Sequence, residues 1–191
     1  MRPVNIIWIL VTMAIILFPV NEANAGSLGS DYRKLVVKRQ KLEKQRTNYE
    51  IKIKKLSSKQ RKLNKRLYKC ATKKKEDFWT AKFKEAKAGN SILERDRVKL
   101  NNIRKDISKM RLEFENTRVE IERKYKPKTK GSDYETEFRQ YMDNLNDQYL
   151  NKLETALFSG YKAYLSGIEK HLRFLENSVN QCTGKKVKTK K

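Results

Sequence analysis

The stretch Cys70-Ala71-Thr72-Lys73-Lys74-Lys75-Glu76 holds neither glycine nor proline, yet its reading decides the fold. Upstream, apolar residues recur every seven positions at Leu35, Leu42, Tyr49, Leu56, Leu63 and Cys70, the spacing of one seam on a coiled-coil helix. Downstream, a second ladder runs through Trp79, Ala86, Leu93, Leu100, Ile107, Phe114 and Ile121, supported by Ile103 and Met110. Nine residues separate Cys70 from Trp79, so the ladders are out of phase and the chain must break step between Ala71 and Lys75.

A rival turn lies at Gly89-Asn90-Ser91, where Ser91 and Glu94 have capping-box spacing. The two cysteines, Cys70 and Cys182, arbitrate. With antiparallel helices rising about 1.5 Å per residue, a turn at Gly89 leaves them about 50 Å apart along the axis, far beyond the roughly 4.4 to 6.8 Å between Cα atoms that a disulfide tolerates. A turn at 71–75 makes the second and third helices each about 75 Å long and brings Cys182 back to the level of Cys70. The expected fold is therefore all-α, an elongated antiparallel three-helix bundle or coiled coil with helices near 31–70, 76–126 and 133–182, and Gly89 to Ser91 forming a bend inside the second. A disulfide between Cys70 and Cys182 would close a long loop, which the chain-entropy model values at about 4 to 5 kcal/mol.

The boundary before the third helix is the helix-breaking run Pro127-Lys128-Thr129-Lys130-Gly131, followed by Ser132 and Glu135 at capping-box spacing. From Phe138 the apolar stripe passes through Met142, Leu145, Tyr149, Leu153, Ala156, Gly160, Tyr164, Ile168, Leu172, Leu175 and Val179 to Cys182. Its mean step of about 3.67 residues suits a nearly straight helix. Leu157, Tyr161 and Leu165 widen that face for two neighbours, and Ser159, Gly160, Ala163 and Gly167 suggest close backbone approach. The intervening seam positions of the first helix, Arg39, Arg46, Ile53, Gln60 and Leu67, predict poor packing toward its N-terminal end.

Before the helices comes Met1-Arg2, an apolar run from Ile6 to Val20 and the small-residue triplet Ala23-Asn24-Ala25. That pattern is a secretory signal peptide over 1–25, too short in its apolar part for a membrane span. It divides the chain into a cleaved leader, a helical domain over 26–182 and a disordered basic tail over 183–191. Export places the protein in the periplasm or outside the cell, where a disulfide is the ordinary state of a cysteine pair.

Net charge is +24 over 191 residues, and its distribution is uneven. Residues 31–75 carry 19 Lys and Arg against 3 Asp and Glu, whereas residues 132–182 carry 5 against 8. Cations so concentrated repel one another, a cost that an anionic partner offsets. The candidate contact residues are Lys52, Lys55, Lys59, Lys62, Lys65, Arg66, Lys69, Lys73, Lys74 and Lys75, of which Lys52, Lys55, Lys59, Lys62 and Lys69 face solvent in the heptad assignment.

Catalytic signatures are lacking. His171 is the lone histidine, with no second imidazole for a metal and no paired nucleophile. Neither a Cys-x-x-Cys pair nor a glycine-rich phosphate loop is present. Glu113, Glu115, Glu120 and Glu122 alternate with cations as on a solvated helix flank. No cofactor is implied.

These features point to a non-enzymatic exported coiled-coil protein that binds or scaffolds at an anionic cell-envelope surface through a basic helix. Its apolar seams serve the bundle, a helical protein partner or a homo-oligomer. The first alternative is a periplasmic holding chaperone, although no strand-rich oligomerisation body is evident. The second is extracellular nucleic-acid binding, for which only Tyr49 and Tyr68 interleave with the basic run.

Overall fold

The computed structural model describes residues 27–125 and 131–184; 96% of them are helical, and there is no strand among them. Helix α1 spans Ser27–Lys74 and α2 spans Asp77–Lys124. The third rod begins as α3 (Ser132–Asn144), passes through wide π turns at Leu145–Leu150 and Leu153–Leu157, and continues as α4 (Phe158–Cys182). At 48 residues each, α1 and α2 are about 72 Å long. The segments 1–26 and 185–191, with the leader and most of the basic tail, lie outside the described residues.

Side-chain pairing establishes the topology. Arg39 meets Glu115, Glu50 meets Arg104 and Asn64 meets Asn90, so numbers rise on α1 as they fall on α2, and the two are antiparallel. Lys38 meets Asn146, Glu50 meets Tyr161 and Lys59 meets Glu176. Both sets rise together, so α1 and the third rod run parallel, and α2 runs against both.

The turn falls at the phase break, slightly later than its first residue suggested. Ala71 is buried against Trp79 and Cys182, which carries α1 four residues beyond 70. The helix then closes on Lys75, whose N–H donates to the Ala71 carbonyl at 3.1 Å and whose φ is 54°. This is a left-handed closing position, usually glycine's. Only Lys75 and Glu76 link the two helices. Gly89 to Ser91 lie inside the continuous helix α2, as the cysteine spacing required, and Ser91 returns its hydroxyl to the Lys87 carbonyl.

The α2 ladder is the core as expected, with Ala86 and Ile107 fully buried and Phe114 half-buried. On the third rod the expected stripe needs correcting between Tyr149 and Ile168. Leu145, Tyr149, Leu153, Leu157, Tyr161 and Leu165 are all buried, a run of four-residue steps, while Ala156 and Gly160 are only half-buried. Each such step overshoots an α-helical turn by roughly 40°. The π turns absorb the surplus residues and hold the run on the core face.

Of the small residues, Gly160 and Gly167 receive side chains from α2. A Cβ on Gly160 would lie 3.2 Å from Leu100 Cδ1, and one on Gly167 would lie 3.1 Å from Leu93 Cδ2. Ser159 and Ala163 are exposed and take no part. The Ser132 capping box does not form either: Gly131 is the N-cap, and its carbonyl accepts from the Glu135 N–H at 3.2 Å.

The N-terminal half of α1 packs through charge. Arg39 pairs with Glu115 and lies 6.0 Å from the centre of the Tyr149 ring, while Tyr149 donates to Glu43 at 2.8 Å. Two turns on, Glu50 accepts from Tyr161 at 2.7 Å, Arg104 at 2.9 Å and Arg46 at 3.3 Å. Long cationic side chains thus occupy seam positions with their charges satisfied. Glu115 accordingly belongs to the interface and not to the solvated flank, whereas Glu113 is exposed.

Candidate functional site: the basic helix and its disulfide-bonded end

The candidate cations sit on α1 because apolar residues at seven-residue spacing turn one face inward and leave the rest of the helix to solvent. All ten, from Lys52 to Lys75, are exposed. Seven of them, Lys52, Lys55, Lys59, Lys62, Arg66, Lys69 and Lys73, follow one another by alternating steps of three and four, which lines them up along one flank over about 31 Å. Lys65 lies to one side of this row, and Lys74 and Lys75 crown its end.

The row borders the third rod. Lys52 pairs with Glu169 at 2.9 Å and Lys59 with Glu176, so two of the residues assigned wholly to solvent are partly neutralised. A carboxylate from a parallel helix could not be foreseen without the register of α1 against α4. Lys55, Lys62, Lys65, Arg66, Lys69, Lys73 and Lys75 form no ion pair among the described residues. Beside the row, Lys59, Lys62, Leu63, Arg66, Glu176, Asn177 and Asn180 line an open groove of about 480 Å³.

At the end of the bundle the Cys70 and Cys182 sulfurs are bonded, with Cα atoms 6.2 Å apart. Trp79 is buried beside them with Ala71. Its ring lies edge-on to Phe78, centroids 4.8 Å apart, and 5.4 Å from Lys74 Nζ. Every residue from Thr72 to Phe78 is exposed. Phe78 and Tyr68 are each 54% exposed despite their size. Phe78 had no heptad signal to mark it; its neighbour Trp79 took the seam position.

His171 belongs to the interior. Its Nε2–H donates to Asn90 Oδ1 at 2.9 Å, and the same oxygen accepts from Gln60 at 2.7 Å and Asn64 at 3.1 Å. Burial holds the imidazole below its usual pKa. The cluster joins one imidazole to three carboxamides, and no grouping of three or more His, Cys, Asp or Glu suited to a metal occurs among the described residues.

At Glu50, burial would raise the carboxyl's pKa, but the Tyr161 hydroxyl, Arg104 and Arg46 outweigh it and the group lies below the usual carboxylate range. No described helix is long and apolar enough to cross a membrane. The chain matches no known protein family, no curated protein and no solved structure.

Proposed function

We propose that this is a non-enzymatic exported protein that binds an anionic envelope surface along the cationic row of α1. The observation that carries the reading is the row itself: seven cations aligned over about 31 Å, of which two meet carboxylates of the same chain. Such a row is self-repelling until phosphate or carboxylate groups face it. The disulfide-bonded bundle behind it supplies rigidity, so the charges are held in line without an ordering cost at each binding event.

Replacing Lys55, Lys62, Arg66, Lys69 and Lys73 together by Gln tests this and leaves the Lys52 and Lys59 pairs intact. Each cation near an anionic membrane contributes on the order of 1 kcal/mol, so co-sedimentation with anionic vesicles or envelope material should weaken at least a hundredfold at physiological salt. Helicity should hold, because Gln and Lys are close in helix propensity. Unchanged binding by the folded variant would refute the proposal.

A further inference from the structure

The end of the bundle differs from the row in offering apolar surface together with charge. Resting on the reading above, we propose that this surface is a lipid bilayer with anionic headgroups, and that the Lys73–Phe78 turn docks on it at the end of the cationic row, with Phe78 entering the headgroup layer. Three observations converge.

The first is the pairing of side chains. An aromatic ring left half in water gains by entering an interface whose far side is apolar, a gain that a soluble acidic polymer cannot supply. Phe78 is fixed for this, since it stands edge-on to Trp79, itself buried against the disulfide. Lys73, Lys74 and Lys75 precede it in the same exposed turn, and Lys74 Nζ lies 5.4 Å from the neighbouring Trp79 ring. Glu76 and Asp77 offset two of these charges.

The second is backbone cost. Lys75 occupies a left-handed position with φ 54°, where glycine would be at ease and a lysine is strained. A cation at the extreme tip is thus present against the preference of the fold, which points to a use for its charge. The third is exposure: the whole turn, Thr72 through Phe78, is uncovered.

The test uses the chain from Gly26 to Lys191, without the apolar leader, vesicles of phosphatidylcholine with and without phosphatidylglycerol, and soluble polyphosphate as an anionic polymer. Phe78→Ser should lose about tenfold in affinity for the phosphatidylglycerol vesicles and keep its affinity for polyphosphate. Lys75→Gly should raise the thermal midpoint while weakening vesicle binding about fivefold, opposite signs that a structural role alone does not give. In the double variant Phe78→Trp, Trp79→Phe the sole indole of this chain stands at position 78, and brominated acyl chains should quench it in the bound state.

Equal losses on vesicles and polymer for Phe78→Ser, or a bound double variant whose indole at position 78 is not quenched, would overturn the docking mode. Binding to polyphosphate without binding to vesicles would overturn it too, while leaving the broader reading of the cationic row in place. Binding to neither would remove both.

Discussion

The imidazole of His171 fills the space that a side chain at position 89 would need: a Cβ on Gly89 would lie 2.5 Å from both Nδ1 and Cε1 of the ring. Glycine is there to admit a side chain from α4, and the adjacent Asn90 then receives the ring's N–H. What looks in the sequence like a turn signal is a docking notch inside a continuous helix.

Gly89→Ala should therefore destabilise the protein by about 1 to 3 kcal/mol, although alanine in an open helix position gains about 1 kcal/mol over glycine. Urea unfolding gives the sign. In a His171→Ala background the obstruction is gone, and the same change should become neutral or stabilising.

His171 also predicts a pH dependence. Its folded pKa is lowered from 6.5 by burial. As pH falls below about 6.5 the unfolded chain takes up a proton that the native state resists, so stability declines toward the lowered folded value. His171→Gln should flatten the difference in unfolding free energy measured between pH 7 and pH 5, whatever its effect at pH 7.

Glu50 joins three donors from three separate points in the chain. Glu50→Ala would leave Arg46, Arg104 and the Tyr161 hydroxyl without their shared acceptor and should cost about 2 kcal/mol in chemical denaturation. Glu50→Gln keeps an acceptor oxygen and should cost less. An unaltered midpoint for Glu50→Ala would show that the layer is held by packing alone.

The bond between Cys70 and Cys182 is internal to one chain and spans 112 residues. Cys70→Ser with Cys182→Ser should lower the unfolding free energy by about 2 to 5 kcal/mol, with the chain-entropy value at the upper end, while leaving the helical content intact. On a non-reducing gel the parent should run as a monomer, and a dimer that collapses with reductant would contradict the fold.

Most of the architecture was legible because two heptad ladders out of phase mark a break in the seam, and because a disulfide imposes a distance that places the turn there. The cysteines outweighed Gly89 for that reason. Less could be read where residues change role through a neighbour's register. Arg39 and Arg46 looked like defects of a seam: Arg39 is satisfied by Glu115, a partner invisible until α1 is set against α2, and Arg46 by Glu43 and Glu50 one turn either side on its own helix. The run of four-residue steps from Leu145 to Leu165 was on the page, but its meaning as a pair of π turns requires knowing that both flanks face one core. At the candidate site the cations were found by counting. Their division into paired and unpaired members needed the carboxylates of α4, and the exposure of Phe78 needed the turn.

Three rods cannot cancel their backbone dipoles in pairs. α1 and α4 both finish at the disulfide-bonded end, where α2 alone begins, so one helix dipole is left unopposed with its negative pole among the terminal carbonyls there. Lys73 and Lys74 occupy the last turn of α1. The odd helix count thus supplies, from the main chain itself, a partial negative charge that tempers the mutual repulsion of the tip lysines while no external anion is bound.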